Sequence, residues 1–476
     1  MRNRLVTSSS HAGYLLLLVL VFGSVLFVIL SSAIGFTIGQ SQVVTARVEI
    51  QKATDIAEAG LNYYRWYLAH NPNDTTEGTG LPGPYVHQYF DPEGGAIGEF
   101  SLEVSSSTYC GQVASINVRS TGFSYAAPQY KRTVAARYVR PTVAEYAFII
   151  NSNVWAGASL NIIGPYHSNG GIRMDGSNQS TVTSGQTNWN CTSSFGCSPA
   201  STSAAGVFST TVNANQALFS FPAPPINFAG LTVDLSQMRD RAINGGGIYL
   251  PDSDDEGYQI AINGDGTITV RRVDRTWSHN EYSTEAGAWY TANNLIRTLH
   301  PVTTYTINPN CPLIFVEDKV WLATSTVNQP VTITAADTDT PGNDYSVILA
   351  GNITYGSSSS SLLVAAEQDV LVGYDVPNDM ELNGIFLAQN GKFGRNHYEN
   401  ETNGGDRCRN SLTINGTIVS NGRVGTQWTG TGCTGGYSSG FRFRFNSYDR
   451  DLVENPPPLV PETSDVYVFR DWREEN

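Results

Sequence analysis

The most apolar stretch of the chain lies near its start, where no charged residue occurs from Tyr14 to Ile38. A secretory signal carries an apolar stretch of about 7–15 residues. This run is longer, and it suffices to span a bilayer as a helix. The small residues of Ser31-Ser-Ala-Ile-Gly-Phe-Thr keep a competing reading open, in which a signal peptidase cuts there and releases the rest. Beyond Ile38 the pattern acquires a period. Val43, Ala46, Ile50, Ala53, Ala57, Leu61, Tyr64 and Leu68 recur every three or four residues, with Arg47, Glu49, Lys52, Asp55, Glu58 and Arg65 on other faces. The two segments predict one helix from about Tyr14 to Ala69, on the order of 80 Å long. The turn-forming Asn71-Pro-Asn-Asp ends it. Residues 14–38 suit lipid, and residues 39–70 suit packing on a small domain.

A short basic leader (Arg2, Arg4), a Gly13-Tyr14 junction, the long apolar helix directly after it, and Ala57-Glu-Ala-Gly-Leu at its amphipathic end follow one another. Together they resemble the N-terminus of type IV pilin-like proteins, and most of all the PilX-type minor pilins. The resemblance covers roughly residues 1–70. It implies a leader of residues 1–13, cut after Gly13 by prepilin peptidase, and Tyr14 as a new, N-methylated terminus. It also implies that the helix holds the subunit in the inner membrane by a single pass and later packs among other pilin subunits. Major pilins carry glutamate at the fifth mature position, whereas this chain has Leu18 there. That departure favours a minor subunit, and it is also compatible with a plain anchor.

Past the helix the period becomes two. After a Gly- and Pro-rich connector, Glu77–Gly95, strands are predicted at Glu99-Phe-Ser-Leu-Glu-Val-Ser, Val113-Ala-Ser-Ile-Asn-Val-Arg-Ser and Lys131-Arg-Thr-Val-Ala-Ala-Arg-Tyr-Val. A small pilin-like β domain over 71–140 is expected, with an antiparallel sheet covering the amphipathic half of the helix. The large remainder, 141–476, contains a repeated phrase. Pro165-Tyr-His-Ser-Asn-Gly-Gly-Ile-Arg-Met, Phe386-Leu-Ala-Gln-Asn-Gly-Lys-Phe-Gly and Thr417-Ile-Val-Ser-Asn-Gly-Arg-Val-Gly each place an Asn-Gly corner between apolar positions. Asn-Gly tolerates the positive φ of a tight corner. Such a corner closes a hairpin or turns one face of a β-solenoid into the next. Short apolar strands at Trp321–Ala323, Val331–Ala335, Tyr345–Ala350, Leu362–Ala365, Val370–Val372, Met380–Leu387 and Leu412–Val419 favour a parallel or mixed β-solenoid. A β-sandwich is the alternative. An insertion over about 208–305 holds a short helix, Leu231–Ala242, and a hairpin across Asn263-Gly-Asp-Gly.

Composition agrees with a mainly β, export-type protein. The chain has 476 residues, 46 Gly, 22 Pro, 24 Tyr and 15% charged residues. Its net charge of −14, with no long basic run, argues against nucleic acid as a partner. Six cysteines without a Cys-x-x-Cys fit disulfides in an oxidising compartment better than zinc. Cys191 with Cys197, Cys408 with Cys433, and Cys110 with Cys311 are the candidate pairs, although spacing alone does not fix connectivity.

Candidate chemistry is sparse. Asp252-Ser-Asp-Asp-Glu and Asn263-Gly-Asp-Gly are dense in oxygen ligands but lack the closing acid of an EF-hand, and they read as solvated turns. His167 and His397 have no partner set that spacing identifies, so both read as structural hydrogen-bonders. There is no P-loop or H-E-x-x-H. Neither enzyme activity, nor a cofactor, nor a metal is expected. Trp277, Trp289, Tyr290, Trp428, Tyr437 and Tyr448 lie beside Asn, Ser and Gly, a mixture suited to glycans or to a host or abiotic surface. The expectation is a minor pilin-like subunit that works with inner-membrane pilus assembly proteins and displays its β domain on a cell-surface pilus, at the filament tip. The alternative is a membrane-anchored or secreted β-helix protein that binds or acts on carbohydrate.

Overall fold

A computed structural model describes residues 12–72, 74–231, 234–284, 286–337, 345–398 and 407–475. Most of the expected leader, residues 1–11, lies outside them. The chain divides into two compact units. The first holds residues up to Ser105, Asn117–Arg137 and Asp471 onward; the second holds Ser106–Ile116 and Tyr138–Arg470.

The first unit is built on one unbroken helix, α1 (Ala12–His70), as the pattern predicts. Its buried apolar side chains are Ala53, Ile56, Ala57, Leu61, Tyr64 and Leu68, a stripe at helical spacing. Burial starts later than the periodicity suggests, since Val43 is exposed. The stripe faces a sheet ordered β1 (Tyr85–Asp91), β2 (Gly95–Tyr109), β3 (Gln112–Ser124), β4 (Lys131–Val139) and the strand Val468–Glu475. Two of these strands are absent from the sequence reading. β1 falls in the segment assigned as a connector, where Gly83-Pro84 and the flanking glycines mask a strand of alternating exposure. The strand Val468–Glu475 comes from the end of the chain and is too charged to show an apolar face; its carboxylates pair with Arg119, Arg132 and Arg137. The boundary expected at Arg140 is therefore crossed by a returning strand.

Ala57-Glu-Ala-Gly-Leu has a plain packing role here. At Gly60 a Cβ would stand 2.8 Å from Phe100 Cδ2 and closer still to Ser120 Oγ. On β3, a Cβ at Gly122 would stand 2.6 Å from Ala53 O and closer still to Ala57 N. Helix and strand thus touch backbone to backbone, and only small residues permit it.

The second unit is a three-faced stack of parallel strands, the ladder pattern of a solenoid and not the antiparallel pairing of a sandwich. One rung runs Val320–Leu322, Ser325–Val327, Pro330–Ala335; the next runs Val347–Leu349, Ile353–Tyr355, Ser361–Ala366. Two longer strands, Asp379–Ala388 and Cys408–Ser420, each serve two faces and bend at Gly384 and Gly416. These stacked glycines have φ of 145° and 142°, a conformation L side chains avoid. Val331, Ile333, Leu362, Val364, Phe386 and Ile418 point into one continuous apolar core. Each such side chain contributes about 1.5–3 kcal/mol relative to exposure.

The stacking order is not the chain order. The first face runs Ile248–Leu250, Leu313–Val316, Pro330–Ala335, Ser361–Ala366, Asp379–Ala388, Cys408–Ser420, and only then Phe148–Ile150, Tyr166–Ser168, Val182–Ser184 and Phe219–Ser220. The early block therefore continues the late one. Ile418, Val419 and Ser420 pair in register with Phe148, Ile149 and Ile150, and Arg444–Ser447 pairs with Leu160–Ile163. Between the blocks the chain passes through Phe228–Leu231 and α2 (Leu235–Asn244), capped by Asp234. Phe228, Leu231, Met238 and Ala242 cover the outer side of Leu313, Phe315, Leu363, Ile385 and Val419. Strands covered on both sides carry runs of apolar residues instead of alternation, as parallel sheets do.

Candidate functional site

The feature with the clearest functional demand is the first half of α1. From Tyr14 to Val44 every large apolar side chain is exposed, and α1 is the one helix among the described residues long and apolar enough to cross a membrane. No charge interrupts the run until Arg47. Exposed apolar surface on this scale does not persist in water. Lipid or other apolar helices must cover it. Tyr14 and Leu18 both lie on this exposed surface, and Gly13 lies within the first turn of α1.

The six cysteines form three disulfides: Cys110–Cys311, Cys191–Cys197 and Cys408–Cys433. The first joins the β2–β3 turn to the loop before Leu313–Val316, where Cys110 N also donates to Asn310 O at 2.9 Å. The second closes a small loop on the hairpin Asn188–Thr192 and Ser201–Ala205.

The Asn-Gly phrases form a ladder along one corner of the stack. Asn421 Nδ2 donates to Asn390 O at 3.1 Å, Asn151 Nδ2 to Asn421 Oδ1 at 2.9 Å, and Asn169 Nδ2 to Asn151 Oδ1 at 2.8 Å. Asn151, followed by Ser instead of Gly, is the member that the phrase alone does not identify. His167 belongs to this corner. Its ring bonds Thr183 Oγ1 at 2.8 Å and Asn169 Oδ1 at 2.9 Å, and burial lowers its pKa, so it serves as a neutral strut.

The six singled-out aromatics separate. Trp289 and Trp428 come together with Tyr282 and His397: Tyr282 lies 5.8 Å from Trp289 and 5.5 Å from Trp428, and His397 lies 5.2 Å from both tryptophans. Trp289 and Tyr290 are partly exposed there. Trp277 instead stacks under Arg297, and Tyr437 is buried with its hydroxyl on Arg409 O. Tyr448 packs against Gly164, on a different part of the stack.

Beneath the ring cluster, Glu281 accepts from Asn396 at 2.8 Å and from Tyr290, and lies 3.1 Å from His279. Burial pushes this carboxyl up, but the bonds from His279, Tyr290 and Asn396 outweigh it and hold the group below its ordinary pKa. A histidine and a carboxylate this close are the raw material of acid–base chemistry, yet Glu281 is 0% exposed. Buried this way, the pair docks the hairpin strand Thr267–Ser283 onto His397–Tyr398.

The acidic turns are also engaged. Asp265 accepts from Thr267 N at 3.0 Å inside its hairpin turn. Asp255, Asp274 and His300 converge within 4.8 Å, but Arg272 sits 3.3 Å from Asp255 and Arg275 3.8 Å from Asp274, so each carboxylate already faces a cation.

No family model matches the chain, and no curated protein matches it. Among solved structures, the competence-associated pilin ComZ from Thermus thermophilus aligns over 90% of this chain and 97% of its own, at 14% identity and a TM-score of 0.29. A superposition this loose establishes no common fold.

Proposed function

We propose that the chain is a pilin-like structural subunit, anchored in the inner membrane by a single pass and then incorporated, as a minor component, into a type IV pilus or a related assembly. The observation that carries this reading is the division of labour along α1. Its first half exposes an uncharged, predominantly apolar surface, and its second half packs against a small sheet without a break between them. A cleaved signal would have no reason to continue into the structural core of a domain. An anchor that must later leave lipid and join a bundle does. The leader, the Gly13-Tyr14 junction and Leu18 support a minor subunit processed by prepilin peptidase. The size of the stacked β unit supports a tip position, because a unit this large crowds every neighbour in a packed filament. Its role is display, with other pilin subunits and inner-membrane assembly proteins as partners, and not catalysis.

The test is the mature N-terminus, by intact mass and terminal peptide mass spectrometry of protein from native membranes. A start at methylated Tyr14, lost in Gly13→Ala, is expected. A start near Phe36 or an uncut chain would overturn the assembly role. A second reading, carbohydrate binding by an anchored or secreted β-helix, rests on the Tyr282, Trp289, His397 and Trp428 rings. Glycan-array binding abolished by Trp289→Ala would favour it, and it is compatible with adhesion from a pilus.

A further inference from the structure

Two cations beside the buried regions meet a carboxylate. Arg173 lies 2.7 Å from Asp175, and Arg239 pairs with Glu317. Arg444, at the junction of the two blocks, is different, since neutral groups are its partners. In Phe441-Arg-Phe-Arg-Phe, Arg442 is exposed while Arg444 turns inward to 7% exposure. Its Nη2 donates to Ser159 Oγ at 2.8 Å and to Gln427 Oε1 at 3.2 Å, and its Nε has no acceptor. Burial lowers its pKa to about 10, and among the described residues no carboxylate raises it again. At neutral pH the guanidinium remains charged, and a buried charge without a counter-charge is costly.

Arg444 lines a cavity of about 20 Å³, together with Tyr166, Thr426 and Asn446. Among the described residues, the phenol, hydroxyl and carboxamide of these three residues have no hydrogen-bond partner. Each is able to donate. The remaining wall is largely apolar, with Phe148, Leu160 and Phe393. A cavity holds one water when it offers about 10–15 Å³ by this measure, so this one has room for a single particle somewhat larger than water. Water satisfies the donors but leaves the charge unbalanced.

We propose that the cavity is a site for one small monovalent anion of halide size, chloride in practice, held by Arg444 and by the donors of Tyr166, Thr426 and Asn446. Tyr166 comes from the early block; Thr426, Arg444 and Asn446 come from the late one. The ion therefore bonds across the junction and stabilises the joined stack over the separated blocks.

The test uses the full chain in detergent. Thermal midpoints are compared in sodium chloride, sodium bromide and sodium gluconate at equal ionic strength. The expected result is a midpoint roughly 2–4 °C higher in the halides, with the difference gone in Arg444→Met. Crystals grown in bromide should show an anomalous peak within hydrogen-bonding distance of the Arg444 guanidinium. A cavity containing only water, equal midpoints in all three salts, or a halide effect that survives in Arg444→Met would each overturn the proposal. If Arg444→Met does not fold, the bromide peak in the unaltered protein decides.

Discussion

Asn151 donates a hydrogen bond to Asn421 at 2.9 Å although 270 residues separate them in the chain. The contact marks the place where the late block of the solenoid meets the early one. On either side the ladder continues to Asn390 and Asn169, so the corner passes through the junction as if the chain were continuous there. A parallel stack that ended at Ser420 would leave an open strand edge, a template for misassembly. Here the edge is occupied by the chain's own Phe148–Ile150.

Replacing either asparagine by alanine should cost about 0.5–1.5 kcal/mol of stability. Because the two share one bond, Asn151→Ala and Asn421→Ala combined should cost measurably less than the sum, which denaturant unfolding in a double-mutant cycle would detect. Additive losses would show that the ladder contact contributes nothing.

Gly122→Val should damage the first unit more than a surface change would, because its Cβ would already stand 2.6 Å from Ala53 O. Overpacking of this kind costs about 1–3 kcal/mol. The expected readout is faster proteolysis of residues 45–137 with membrane insertion intact, since the exposed half of α1 is untouched.

Cys110–Cys311 closes a loop with a sequence separation of 201. Cys311→Ser should lower stability by about 2–5 kcal/mol, read as a lower thermal midpoint. Cys191→Ser should act less, because that disulfide spans only 6 residues.

Asp74 follows the end of α1 and accepts hydrogen bonds from the Tyr67 hydroxyl and from Thr76, whose backbone N lies 2.7 Å away; these hold its carboxyl down to about 2. Its folded pKa lies below the unfolded value, so its contribution is full above about pH 4. It is lost as the pH falls toward 2. Asp74→Ala should therefore melt below the unaltered protein at neutral pH, and the two should converge near the acid end of a pH series.

Much of this fold is legible in the sequence, for identifiable reasons. The helix shows because an uncharged run passes directly into a 3.6-residue period, and the late rungs show because strands covered on both sides are runs of Val, Ile and Leu such as Val370–Val372. The three Asn-Gly phrases mark real corners. The hidden parts are those set by distant partners. The strand Val468–Glu475 is held in place partly by ion pairs with β3 and β4, and ion pairs leave no periodicity. The junction is hidden because Phe148-Ile-Ile looks like any buried strand, and nothing local says that its neighbour lies at Ile418. Arg444 left one trace, a lone inward cation in an aromatic strand, which alternation alone would have placed with the exposed Arg442.

The order of the rungs also imposes an order in time. Phe148–Ile150 is synthesised long before Ile418, so the early rungs emerge and wait with one edge uncovered while the insertion and the whole late block follow. Non-local pairing of this kind is slow to form and vulnerable until it does. If the chain is exported from its N-terminus, as the proposed role requires, that edge stays uncovered until nearly all of it has arrived, and closing the stack becomes a late step of biogenesis.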